Sequence, residues 1–215
     1  MTPALFRSVF CVAWFCVATA VAAELPENLG RDDGRMRGDP HAPVTLIEYS
    51  DFTCGYCLKF FRETWPRLSA KYVDTGKVRF IYRDYPRADR GLGFETAMAS
   101  RCAGEQGRYW PMHDQLFANS GQYASGDFPA YARSLGLDVQ AFTSCVQSGM
   151  HRDAIFRDRA EANGLGFRGT PGFLLLKTTP DGKERPIGIP GAFPYEVFEE
   201  QIDLMLAAAA SKGKG

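Results

Sequence analysis

Two thiols three positions apart, Cys54-Gly55-Tyr56-Cys57, offer the most specific chemistry in this 215-residue chain. An apolar, β-rich stretch precedes them over 44–49, and a helical run follows over 58–65. A sulfur that ends a strand and opens a helix meets free N–H groups and the positive end of the helix dipole. Both favour an anion, so the spacing predicts a thiolate at Cys54, the reactive form. Cys57 falls one turn later, on the same side of the helix. A nucleophile and a resolving thiol are thereby preassembled for thiol–disulfide exchange. The other use of Cys-x-x-Cys is half of a zinc site, which needs further ligands at matching spacing. His41, His113 and His151 are scattered and no second Cys-x-x-Cys exists, so neither metal nor cofactor is expected.

Composition narrows the class. Hydrophobic content of 45% and charged content of 23% are ordinary for a globular domain. Basic and acidic side chains number 25 each, which gives no reason to expect nucleic acid as a partner. Residues 1–23 differ from the rest: Arg7 is their only charge, and 8–23 is mostly apolar and ends in Val21-Ala22-Ala23. That pattern predicts a secretory signal peptide, with an uncleaved anchor as the alternative. Its sixteen uncharged residues fall short of the ~20 that a spanning helix needs. Cleavage removes Cys11 and Cys16 and leaves four cysteines, an even count that suits an oxidising compartment.

The elements that must position the thiols can be read in order. Residues 24–43 form a polar arm rich in Gly and Pro, with at most one short strand before Asp39-Pro40. A central strand is expected over 44–49 and a helix from Gly55 to Asp74-Thr75-Gly76, kinked or restarted at Pro66. A second strand over 78–82 completes a βαβ unit with parallel strands. From 91 to 163 the pattern is helical, with segments near 92–106, 109–118, 127–135, 138–147 and 151–163. Asp127 and Asp138 read as N-caps, and Gly107, Gly121, Gly136 and Gly149 as stops. Strands resume at 173–176 and 187–189 around the turn signal Pro180-Asp181-Gly182, and an amphipathic helix over 195–209 closes the chain. The tail 211–215 is expected to be irregular.

This order resembles an α/β thioredoxin-like fold with an inserted helical domain, and specifically the DsbA family of thiol–disulfide oxidoreductases. The likeness rests on Cys54-x-x-Cys57, on Thr170-Pro171 before the late strand, and on Glu48 six residues before Cys54. It runs roughly from Pro40 to the last helix, and the domain it implies covers 44–210, with the helical insertion at about 91–163. The resemblance implies a cis proline at Pro171 whose loop lies against the cysteines, with the Thr170 backbone free to pair with an extended client segment. For Glu48 it implies a buried acid that exchanges a proton with Cys57, its pKa raised by burial. A solvent-reaching strand-edge Glu is the alternative. Gly55 and Tyr56 would border the client and tune the thiolate. Of the three connectivities open to four cysteines, the resemblance favours a structural Cys102–Cys145 disulfide over two buried thiols.

The implied activity is exchange of a Cys54–Cys57 disulfide with unfolded or partly folded exported proteins that carry free cysteines, in a bacterial periplasm. A quinone-linked membrane oxidase would then restore the pair. Gly55-Tyr56 and Thr170 resemble the isomerase branch instead, which a membrane reductase keeps reduced. A client-binding module with unreactive thiols is the non-enzymatic alternative. Around His113, the sequence from Gln106 to Trp110 reads as core packing and a helix break.

Overall fold

Short apolar runs bounded by Gly, Pro and Asp become the strands of one mixed sheet in the computed structural model, which describes residues 26, 29–179 and 185–210. The expected signal peptide, the turn at 180–182 and the tail lie outside the described residues. The strands are β1 (Met36–Arg37), β2 (Val44–Ser50), β3 (Val78–Asp84), β4 (Gly172–Lys177) and β5 (Ile187–Pro190). Their order is β1-β3-β2-β4-β5. β2 and β3 run parallel, as a βαβ unit requires, and the other pairs are antiparallel. β2 is central and buried along its whole length, which accounts for its apolar side chains on both faces.

The helix α1 spans 55–73 in four stretches: Gly55–Lys59, a wide π turn at Phe60–Thr64, Trp65–Leu68, and a second π turn at Ser69–Val73. Pro66 explains the first π turn. It has no N–H to offer the preceding turn, and the Trp65 N–H bonds five residues back to Phe60. Phe60, Trp65 and Leu68 are buried against the sheet. Phe61 turns the other way and stacks on Phe117, with centroids 4.9 Å apart.

The insertion follows β3 as α2 (Leu92–Gly104), α3 (Tyr109–Ala118), α4 (Phe128–Ser134), α5 (Val139–Ser148) and α6 (Arg152–Gly164); α7 (Tyr195–Ala210) ends the fold. Asp138 caps α5, accepting from the N–H groups of Gln140 and Ala141. Asp127 stands at the cap position of α4, as expected, but its side chain makes no cap bond to that helix. Its carboxylate accepts from the Ala124 N–H at 2.7 Å and so closes the single turn Ser125–Asp127 ahead of α4. That local bond satisfies the aspartate before the helix begins.

Three apolar clusters result. One face of the sheet packs α1 and α7 around Phe60, Phe173 and Phe198, with centroids 4.4–5.4 Å apart. Truncating one of these rings to Ala would cost about 3–5 kcal/mol. The opposite face packs α6 and Phe167 against Ile47, Tyr49 and Ile81. The third cluster lies inside the insertion and reaches Phe52 and Cys57. Cys102 of α2 and Cys145 of α5 are joined in a disulfide across a separation of 43 residues. Closing a loop of that length in the unfolded chain corresponds to about 4 kcal/mol on the chain-entropy account.

Candidate active site

Cys54 occupies the cap position of α1, with extended backbone, and the Leu58 N–H bonds to its carbonyl at 3.0 Å. Its side chain is half-buried, whereas Cys57 is fully buried. Between them Gly55 and Tyr56 face solvent, Tyr56 with 68% of its surface exposed. The Thr170–Pro171 bond is cis. It brings the Thr170 carbonyl to 3.4 Å from the Cys54 sulfur, which donates to it as a thiol.

The two sulfurs differ in acidity for identifiable reasons. A hydrogen bond from Cys57 is the largest influence on Cys54, which is lowered further by its hydrogen bonding with Thr170 and by the backbone N–H groups of Cys57 and Tyr56. Together they outweigh partial burial and bring its thiol down to about 5. Burial pushes the Cys57 thiol well above the ordinary value, reinforced by the bond it gives Cys54 and by the nearby Glu48 carboxylate.

Glu48 stands in β2 between Tyr82 of β3 and Phe173 of β4. It is 3% exposed, and its Oε1 has no hydrogen-bond partner among the described residues. Burial raises its carboxyl to about 8; Ser50 opposes the rise and Cys54 adds to it. Ser50 lies two residues along the same strand face and acts in the same downward sense on Cys57. Its own Oγ has no well-formed hydrogen bond. Glu48, Ser50, Cys57 and Cys54 thus act on one another's acidity, and Cys54 in turn reaches the Thr170 carbonyl.

A family model described as Thioredoxin (Thioredoxin_4) matches residues 31–186. The chain belongs to the thioredoxin family. Among solved structures, α-DsbA1 of Wolbachia pipientis shares 29% identity at a TM-score of 0.74, covering 88% of this chain and 97% of that one. A thioredoxin-like oxidoreductase from Silicibacter pomeroyi DSS-3 shares 27% at 0.68, covering 83% and 96%. BdbD of Bacillus subtilis has the same fold at 19% identity and a TM-score of 0.68, covering 81% and 94%. Its fold is that of the DsbA-like thiol–disulfide oxidoreductases.

Curated relatives of this thioredoxin-family chain are much longer. The Na(+)/H(+) antiporter NhaA of Herminiimonas arsenicoxydans is 34% identical over 140 residues, which are 65% of this chain and 22% of the antiporter. NhaA 1 of Salinispora arenicola is 32% identical over 145 residues, 67% and 22%. The chain spans about a fifth of the length of these relatives. Among the described residues no helix is long and apolar enough to cross a membrane.

Sequence reasoning missed Asp51 in this thioredoxin-family site. Its Oδ1 accepts from the backbone and hydroxyl of Thr53 at 2.8 and 2.7 Å, and its Oδ2 accepts from the Arg87 N–H at 3.2 Å. The Asp51 carbonyl accepts from the Cys54 N–H at 3.0 Å, so this aspartate shapes the entry to α1. The available signal was Asp-x-Thr directly before the cysteine, an Asx-turn pattern. Gly93 is matched to it, because a Cβ there would lie 2.9 Å from both carboxylate oxygens. His113 is buried among Phe52, Tyr82, Trp110 and Phe117, with ring centroids 4.7–5.4 Å away. Burial lowers it to about 4, which keeps it neutral. Among the described residues, Cys102, Cys145 and His151 bring three metal-type donor atoms within 4.8 Å of one another, but both sulfurs are engaged in the disulfide.

Proposed function

We propose that the chain is an exported disulfide donor, with residues 1–23 as its signal peptide, 24–43 as an arm, 44–210 as the catalytic domain and 211–215 as a tail. The observation that carries this reading is the contrast between a half-buried Cys54 held near 5 and a buried Cys57 held well above 9. A client thiolate attacks the Cys54 sulfur of the oxidised pair. The Cys54–Cys57 bond breaks and its electron pair goes to Cys57. Cys57 is the poorer thiolate and takes up a proton. Glu48, protonated at neutral pH with its carboxyl at about 8, holds one within electrostatic reach. A second client thiolate then attacks the client sulfur of the mixed disulfide, and Cys54 leaves as a stable thiolate. The client gains a disulfide, and the pair is left with a Cys57 thiol and a Cys54 thiolate.

Thr170 and Pro171 serve as the shelf for the client backbone, beside Gly55 and the exposed Tyr56. The clients are unfolded or partly folded exported proteins in a bacterial periplasm, and a quinone-linked membrane oxidase reoxidises the pair. The test is oxidative refolding of a reduced disulfide protein with one equivalent of the oxidised chain. Client disulfide should appear, and Cys54→Ser should abolish it. Full activity in Cys54→Ser, or no client disulfide from the unaltered chain, would overturn the reading.

A further inference from the structure

A groove of about 360 Å³ opens beside Cys54, with Thr170 and Tyr56 at its edge. Arg87, Arg159 and Arg168 line it, and no acidic side chain does. They come from three separate segments: the loop after β3, helix α6, and the loop before Pro171. Arg168 is held in place by donating to the carbonyls of Asn163 and Phe167, both at 2.9 Å. Neither of those partners neutralises its charge. Arg87 and Arg168 are exposed and Arg159 is half-buried. In a chain with 25 basic and 25 acidic side chains, three cations at the mouth of the reactive thiol are a local excess.

These cations are not the chief reason for the acidity of Cys54, whose main influences are Cys57, Thr170 and two backbone N–H groups. Their charge therefore remains available to whatever enters the groove. Resting on the client-oxidation reading above, we propose that the groove selects client segments with Asp or Glu flanking the reactive cysteine. An acidic neighbour raises a client thiol's pKa and leaves less of it as thiolate. A cationic groove offsets that handicap at the encounter, through steering that salt screens. Guanidinium groups suit the role, since each can take a carboxylate in a two-point contact.

The test uses the oxidised full chain and two cysteine peptides identical except for Asp or Lys on both sides of the thiol. Second-order exchange rates are divided by each peptide's own thiolate fraction. At low ionic strength the Asp peptide should react about 5- to 10-fold faster, and the ratio should fall towards one in 0.5 M salt. In Arg87→Gln/Arg159→Gln the low-salt ratio should drop about threefold or more. The thiolate titration of Cys54, read by ultraviolet absorbance, should stay in place. Equal corrected rates at low salt, or a ratio indifferent to the two substitutions, would overturn the groove assignment while leaving client oxidation intact. A shifted Cys54 titration would reassign the arginines to the thiolate and likewise overturn it. Failure of both peptides to exchange would strike at the oxidation reading itself.

Discussion

Two carboxylates are buried on the same face of neighbouring strands, and they have opposite surroundings. Glu48 lies in β2, next to Tyr82 in the register; Asp84 lies in β3, next to Ser50. Around Glu48 the structure brings aromatic rings, a serine and two sulfurs, and, among the described residues, no cation that acts on its titration. Around Asp84 it brings Arg35 at 3.1 Å and Arg101 at 2.6 Å, and both guanidiniums also reach Asp158 at 2.7 Å. Burial pushes both carboxyls up, but at Asp84 two guanidiniums oppose the rise. A buried acid with paired cations fastens β3, α2, α6 and the arm together. The same group without a cation keeps its proton at neutral pH.

Breaking the paired side should have the largest effect. Arg101→Ala leaves Asp84 and Asp158 undercompensated, and urea unfolding should register a loss of about 3–5 kcal/mol. A loss under about 1 kcal/mol would mean that the network is dispensable.

The unpaired side should respond with the opposite sign. From about 4.5 to about 8 the unfolded chain has released the Glu48 proton and the folded chain has kept it. Wild-type stability therefore falls as pH rises through that window. Glu48→Gln removes the fall. Relative to wild type it should be more stable at pH 8, by up to about 5 kcal/mol at 1.36 kcal/mol per pKa unit, with almost no change below pH 4.5. It should also slow the release of Cys57 from the oxidised pair. Equal stability of the two proteins at both pH values would place an unrecognised partner at Glu48.

The smallest effect is expected at Ser50. Its hydroxyl opposes the rise of Glu48 and Cys57, so Ser50→Ala should move the Glu48 titration further up, as read by carboxyl NMR. A downward movement would show that Ser50 acts through the fold instead.

The unpaired acid was legible in the sequence and the paired one was not. Glu48 interrupts an apolar run at a fixed distance from Cys54, so its cost could be seen locally. The partners of Asp84 lie 49, 17 and 74 residues away, and nothing in their spacing announces the cluster. The same contrast runs through the fold. The short strands and the helix stops could be read because Gly107, Gly121, Gly136 and Gly149 all take positive φ, which the glycine pattern anticipates. Pro66 announced a break in α1, but that the break takes the form of a π turn, with the Trp65 N–H reaching Phe60, is not encoded in the apolar periodicity. The three arginines of the groove stand up to 81 positions apart and come together only in three dimensions.

The most direct test is the reduction potential of the Cys54–Cys57 pair at pH 7 in glutathione buffers. A thiolate stabilised as Cys54 is here favours the reduced form and makes the disulfide a strong oxidant. The expected value lies near the DsbA end, ~−120 mV. A value near ~−270 mV, as in thioredoxin, would contradict disulfide donation and turn the assignment towards a reductase.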